Sequence, residues 1–386
     1  MNIPFARRMA RATALTRSGN LHEATALIQS LLHPTADLAP AAQPADAALD
    51  VIEGDFTPLS GPDYATAKPK PKRGRARDPL AEALRKIASG GMPVRGPKSG
   101  AAAAMPQGAQ FLTLTHATPQ GSRGYLLYIP ANRTQDPMPL IVMLHGCTQT
   151  PEDFAAGTGM NVAAEEFACM IAYPAQPAGA NVQKCWNWYR PDDQARGRGE
   201  PALIAGLTRD ILRDYAGDPA RTYVAGLSAG GAAAVVVAAA YPDIFAAVGV
   251  HSGLPAGGAH DIPSAFAAMR SGTHSKPHQT VVPTIVFHGL ADSTVHSENG
   301  AAVLSQAVRA MPGLQVASRD GVSEGGRAFR TTTHSDPSGR SLAEHWEIKG
   351  AGHAWAGGNS AGSYTDPSGP DASRQMMRFF RQHRKA

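Results

Sequence analysis

The apolar pattern divides the chain into three stretches. Over residues 9–32 apolar side chains recur every three or four positions, at Met9, Ala12, Leu15, then Leu21, Ala24, Ile28 and Leu31, with a break at Ser18-Gly19-Asn20. That spacing predicts a helical hairpin at residues 1–32, either a small docking or capping element or a surface for a partner or granule. Residues 33–107 are rich in Pro, Ala and Gly and lose the period. They include the run AKPKPKRGRARDPL at 67–80, where alternating Pro and Lys neither pack nor condense, so a largely disordered, solvated linker is expected there. One short helix, 79–88, interrupts it.

From 108 to 386 the texture becomes alternating strand and helix. Tyr125–Ile129 and the unbroken apolar run Pro139–Leu144 read as strands, the second as one covered on both faces of a parallel sheet. Further strands are predicted at 169–173, 222–225, 245–250, 284–288 and 343–348. Helices are predicted at about 157–168, 200–215, 229–240, 297–310 and 370–383. Such βαβ units imply an α/β class domain built on a mostly parallel sheet with helices on both faces.

Composition changes this picture little. Among 386 residues, 43% are hydrophobic and 17% charged, enough apolar material for a large core. The net charge of +5 invites a nucleic-acid reading, but residues 1–100 hold 14 basic and 9 acidic side chains and the remainder is balanced at 22 of each. The basic linker has no interleaved aromatics for base stacking, so it reads as a tether with weak affinity for anionic surfaces, not a specific nucleic-acid site. No apolar run is long enough to span a membrane. The N-terminal Arg7-Arg8 pair is not followed by an apolar core segment, so a cytoplasmic location is the default expectation. Cys147, Cys169 and Cys185 exclude a disulfide scaffold and a CxxC zinc site but leave room for one bridge and one free thiol.

The chemistry concentrates in Gly226-Leu227-Ser228-Ala229-Gly230, a G-x-S-x-G segment that follows an apolar strand and opens an Ala/Val-rich helix. A tight strand-to-helix turn there lifts the Ser228 hydroxyl above the sheet. The helix N-terminus directs free N–H groups at developing negative charge. A serine nucleophile needs a base, and the base needs an orienting carboxylate, in the chain order Ser, Asp or Glu, His. Asp292 lies just past the strand 284–288, where a turn or helix-cap aspartate is the plainer alternative. Of the later histidines, His353 sits on the Gly-rich loop Gly350–Trp355 between the last strand and last helix. His345 falls inside a strand, His334 in a polar loop and His383 in a frayed tail. His145-Gly146-Cys147 follows the strand ending at Leu144, either as a simple turn or as the loop whose Cys147 N–H joins that of Ala229 in an oxyanion hole.

From about residue 108 the chain resembles the polyhydroxybutyrate-depolymerase family of α/β-hydrolase esterases. The resemblance rests on LHGCTQ at 144–149, CWNWY at 185–189, GLSAGG at 226–231, HSGLP at 251–255, FHGLADSTV at 287–295 and GAGHAW at 350–355. It implies the α/β-hydrolase fold, a Ser228–Asp292–His353 triad and Cys147 as an oxyanion donor. It also implies activity on polyesters of short 3-hydroxyacids, their oligomers or small acyl esters; related enzymes include feruloyl and acetylxylan esterases. Cys147 and Cys185 belong to motifs flanking the site and are expected close enough to pair, although a reducing cytoplasm would oppose the bond. Cys169 is expected buried and free. Trp186, Trp188 and Trp355, beside motif residues, read either as an apolar wall for the substrate or as ordinary core. No phosphate-binding, dinucleotide or H-E-x-x-H motif occurs, and this chemistry needs neither metal nor organic cofactor. The other class of function left open is a docking protein acting through residues 1–105.

Overall fold

The computed structural model describes residues 105–118, 121–133, 135–273, 282–309 and 311–385. The hairpin expected at 1–32 and nearly all of the linker expected at 33–107 lie outside the described residues. The described part is built on one ten-stranded sheet. Its strands are β1 (Gln110–Thr118), β2 (Gly121–Ile129), β3 (Met138–Leu144), β4 (Met170–Pro174), β5 (Gly217–Leu227), β6 (Ala247–His251), β7 (Thr284–Gly289), β8 (Gln315–Val322), β9 (Ala328–Ser335) and β10 (Ser341–Ile348). Their spatial order is β1-β2-β4-β3-β5-β6-β7-β10-β9-β8. The central block from β4 to β10 is parallel throughout, and an antiparallel hairpin closes each side.

Seven helices cover the sheet among the described residues: α1 (Pro151–Thr158), α2 (Met160–Phe167), α3 (Gly199–Asp214), α4 (Ala229–Ala240), α5 (Ile262–Ser271), α6 (Glu298–Val308) and α7 (Ala372–Phe380). The period of two in β3 sorts its side chains. Leu140, Val142 and Leu144 pack on the face carrying α3, α4, α5 and α6, whereas Ile141 and Met143 pack on the face carrying α1, α2 and α7. All five are fully buried, each contributing about 1.5–3 kcal/mol of apolar transfer. That is why Pro139–Leu144 has no polar position: both faces of this strand are interior.

Several expected elements differ in the structure. The helix predicted at 157–168 is two helices, because Gly159 adopts a left-handed φ of 62° that ends α1 and starts α2. Helix α5 lies in a Gly/Pro/His-rich stretch where no element was predicted; its signal was the capping box of Asp261 and Ser264 with Pro263 in the first turn. Strands β8 and β9 were also missed, and His334, expected in a polar loop, lies in β9. β8 is exposed along nearly its whole length, so no apolar alternation marks it. His383 is not in a frayed tail: it is buried, and its carbonyl accepts the Tyr223 hydroxyl at 2.7 Å.

Candidate active site

The chain leaves β3 for β4 on one side of it and returns as β5 on the other, so the carboxyl ends of β3 and β5 flank a topological switch point. Leu144 and Gly226 are paired neighbours there. Ser228 follows at the turn into α4, with φ 58° and ψ −121°, a conformation that side-chain-bearing residues rarely adopt. The turn is possible because two glycines flank it. A Cβ on Gly230 would lie 2.0 Å from the Leu144 carbonyl oxygen and 2.5 Å from that of His145, and one on Gly226 would lie 2.4 Å from the Gly230 backbone. Ala229 is the first residue of α4, so its N–H has no intrahelical acceptor.

The loop after β3 lies against this turn: a Cβ on Gly146 would stand 3.6 Å from the Leu227 carbonyl oxygen. The Cys147 N–H has no acceptor among the described residues, whereas its neighbours do. Gly146 N–H donates to Gln149 Oε1 at 2.9 Å, and Thr148 N–H to the Gln183 carbonyl at 2.7 Å. His145 is buried, which lowers its pKa to about 4 and keeps the ring neutral. Its Nε2 accepts the Gln176 N–H at 3.1 Å, so the proton sits on Nδ1 and is donated to the Gly146 carbonyl at 2.7 Å. The Trp186 indole N–H donates to the His145 carbonyl at 3.1 Å.

A second layer holds that loop from behind. Cys147 and Cys185 are joined by a disulfide, and Cys169 is buried and free. Gln176 Nε2 donates to the Cys185 carbonyl and to Glu200. Glu200 also accepts from the Asn187 backbone and side-chain amides at 2.8 and 2.7 Å. Burial, and after it the neighbouring Asp193 carboxylate, raise the Glu200 pKa. Gln176 and Glu200 carried no recognisable motif and were not singled out in the sequence. Their importance rests on contacts across 24 positions of chain.

Asp292 lies past the end of β7, and His353 on the loop after β10. His353 Nδ1–H donates to Asp292 Oδ2 at 2.7 Å, leaving Nε2 unprotonated in the neutral ring. Asp292 Oδ1 accepts the N–H groups of Thr294 and Val295, both at 2.9 Å. Burial acts to raise the Asp292 carboxyl, but the charge of His353 and hydrogen bonds from His288 and His353 outweigh it and hold the pKa far below the usual range. Asp292 is therefore both a turn aspartate and the carboxylate that orients a histidine. His345 is fully packed within β10 and takes no part.

The tryptophans require a correction. Trp186 and Trp355 are fully enclosed, and Trp188 is 5% exposed. The Trp355 indole donates to Ser373 Oγ at 3.1 Å and its ring packs on Phe154 and His251. Trp186 and Trp355, wholly enclosed and with their indole N–H groups bonded inside the protein, are core rather than a wall of the site. Among the described residues no group of three or more His, Cys, Asp or Glu side chains gathers to hold a metal ion. No described helix is long and apolar enough to cross a membrane. The arrangement thus offers a raised serine hydroxyl, two free N–H groups beside it and a carboxylate-oriented imidazole.

Residues 123–324, just over half of the chain, match the family model described as esterase PHB depolymerase. The chain is 33% identical over 239 residues to poly(3-hydroxyalkanoate) depolymerase C of Paucimonas lemoignei, covering 58% of this chain and 56% of that one. It is 29% identical over 260 residues to poly(3-hydroxybutyrate) depolymerase of Ralstonia pickettii, covering 61% and 52%. It thus spans about half the length of these curated relatives. Feruloyl esterase B of Neurospora crassa is 29% identical over 224 residues, covering 51% and 73%. Among solved structures, acetyl xylan esterase from Aspergillus awamori superposes with a TM-score of 0.56 at 20% identity, covering 71% of this chain and 99% of that one, a likeness of fold.

Proposed function

The chain belongs to the esterase PHB depolymerase family, and on that premise we propose that it is a serine-dependent carboxylic ester hydrolase that works through an acyl-enzyme. The observation that carries this is the His353 Nδ1–H to Asp292 Oδ2 bond at 2.7 Å, in a site whose serine stands on a strained strand-to-helix turn. In the proposed reaction His353 Nε2 takes the Ser228 proton as Oγ attacks the ester carbonyl. The carbonyl oxygen, now negative, is held by the N–H groups of Cys147 and Ala229. Asp292 holds the imidazole orientation and stabilises the imidazolium, which protonates the leaving alcohol. Water then attacks the acyl-enzyme, with His353 again accepting the proton.

The substrates we favour are poly(3-hydroxybutyrate) and other short-chain hydroxyalkanoate polyesters or their oligomers, supported by the depolymerases among the relatives. The feruloyl esterase relative supports the other substrate reading, a small acyl or aryl ester. Two experiments test the proposal. Ser228→Ala should lower hydrolysis of p-nitrophenyl butyrate by at least about 10³-fold while the protein stays folded; near-normal turnover would end the serine mechanism. A hydroxybutyrate oligomer and polymer series with a feruloyl ester as control tests the substrate class, and turnover confined to the feruloyl ester would refute the polyester reading.

Contact with a granule or anionic surface through residues 1–105 rests on the sequence alone and is tested by co-sedimentation of the full chain, against one lacking those residues, with polyester granules. The compartment is tested by thiol counting on protein taken directly from cells. One free thiol supports an oxidising compartment, and three free thiols the cytoplasm.

A further inference from the structure

His251 closes β6, the strand between the one that ends at the nucleophile and the one that leads to Asp292. It is wholly enclosed. Its main-chain oxygen accepts the Ser228 N–H at 2.9 Å. Its ring reaches the opposite way: Nε2 accepts the Ala356 N–H at 3.0 Å, on the loop that carries His353 three residues earlier. An accepting Nε2 places the ring proton on Nδ1, which faces Ser252 Oγ at 3.2 Å. The ring is stacked between Phe287, at 5.9 Å and 11°, and Trp355, at 5.2 Å and 26°. The Ala356 N–H has no part in the small β11 (Trp355–Ala356) and β12 (Thr365–Asp366) pairing, whose flanking bonds are made by Trp355 and Gly357.

We propose that His251 is a positioning residue, whose backbone and ring together link the Ser228 turn to the His353 loop. The inference rests on the triad reading above and deepens it. The physical reason is the different construction of the two halves. Asp292 is fixed to β7 by the two N–H bonds at its own turn, and Ser228 by its own strand and helix. His353 sits on a loop with Gly350 and Gly352 before it, and among the described residues its side chain bonds Asp292. That bond aims the imidazole, and the Ala291 N–H to Ala351 carbonyl bond at 3.0 Å ties the loop to the Asp292 turn. The Ala356 N–H to His251 Nε2 bond ties the same loop to the strand end whose carbonyl accepts the Ser228 N–H. The ring serves this purpose only while neutral, and burial, followed by the nearby His288 and His353 rings, lowers its pKa to about 3.

The test compares His251→Phe, which keeps a flat ring between Phe287 and Trp355 but deletes the acceptor, with His251→Gln, whose amide oxygen takes the place of Nε2, and His251→Asn, whose amide takes the place of Nδ1. Rates are normalised to the fraction of Ser228 that reacts with a fluorophosphonate, so unfolded protein is not counted. The expected result is a kcat lower by roughly 10- to 100-fold in the Phe and Asn variants, with KM within about threefold of wild type. The Gln variant should recover most of the loss. Equal kcat in the Gln and Asn variants, or wild-type kcat per reactive serine in the Phe variant, overturns the proposal. A measurement on the unmutated full chain guards against variants that do not fold: the Ala356 amide should be protected from hydrogen exchange to the level of the central strands, and exchange as fast as an exposed loop overturns the proposal. Failure of the triad reading is distinguishable, because it would appear as persistent turnover in Ser228→Ala while Ala356 protection stayed unchanged.

Discussion

The Ser228 turn and the Cys147 loop face each other across the ends of β5 and β3, yet they are held in opposite ways. The turn is made by six consecutive residues, Gly226 to Gly231, and is enforced by backbone contact within 2.0–2.7 Å of where side chains would start. The loop is held from a distance. Trp186 and Gln176 bind His145, Gln183 binds Thr148, Cys185 is bonded to Cys147, and Gln149 is tied through Asp153 to Ser363. The Ser228 turn is therefore set by its own glycines packing directly on the end of β3. The proposed oxyanion hole needs parts from several segments, because one of its two N–H donors belongs to a loop with no regular structure of its own. The turn should survive loss of the loop's distant anchors, because its tightest contacts beyond itself are with the β3 end and the His145 carbonyl.

The largest effect should come from the turn. Gly230→Ala forces a Cβ to 2.0 Å from a β3 carbonyl oxygen, so a loss of about 3–5 kcal/mol and little soluble protein is expected in thermal unfolding; an unchanged Tm would break the comparison at once. Next is Cys185→Ser, which opens a disulfide spanning 38 residues and should cost about 2–4 kcal/mol. There the turn should stay intact. Ser228 should still be labelled by a fluorophosphonate, more slowly, and a full loss of labelling would mean that the loop also shapes the turn. Glu200→Ala strands the donors of Gln176 and Asn187 and should cost about 1–3 kcal/mol, with kcat falling and KM nearly unchanged. A fall in stability with kcat per reactive serine unaltered would sever Glu200 from the oxyanion loop.

Taken residue by residue, the smallest effect is one of pH. His145 in the loop and His251 beside the turn have folded-state pKa values lowered to about 4 and about 3. Below about pH 6.5 the unfolded chain takes up protons that the folded protein refuses, so stability falls as pH drops toward those values, by about 1–2 kcal/mol per histidine at pH 5. Asp292 adds nothing in this window: its pKa is lowered from a carboxylate value, so its contribution is present above about pH 4 and is lost only below. Denaturant unfolding at pH 7 and pH 5 reads the difference, and His145→Gln should reduce it. No reduction would assign the acid sensitivity elsewhere.

The same contrast explains what could be read from the chain. The strand–Gly-x-Ser-x-Gly–helix segment was legible because its geometry is dictated by the residues that compose it. Asp292 and His353 were legible because each follows a strand end in an α/β order. The parallel centre was legible from its unbroken apolar runs. β8 was not, since it is exposed and carries no apolar alternation, and α5 was hidden by surrounding Gly, Pro and His. The Trp side chains were legible as neighbours of the site, with wall and core both open, because position beside a motif says nothing about which way a side chain packs.

By itself the sequence determined the α/β order, the tight turn at Ser228 and the strand-end positions of Asp292 and His353. These follow from local backbone sterics and from the period of apolar residues, both properties of short segments. Only the tertiary structure decided that Gln176, Glu200 and Cys185 hold the Cys147 loop, that Trp186 and Trp355 are enclosed in the core, and that His251 bonds both the Ser228 N–H and the Ala356 N–H. The reason is that hydrogen-bond partners of buried groups are chosen by proximity in three dimensions, and no spacing along the chain encodes which distant donor will meet which acceptor.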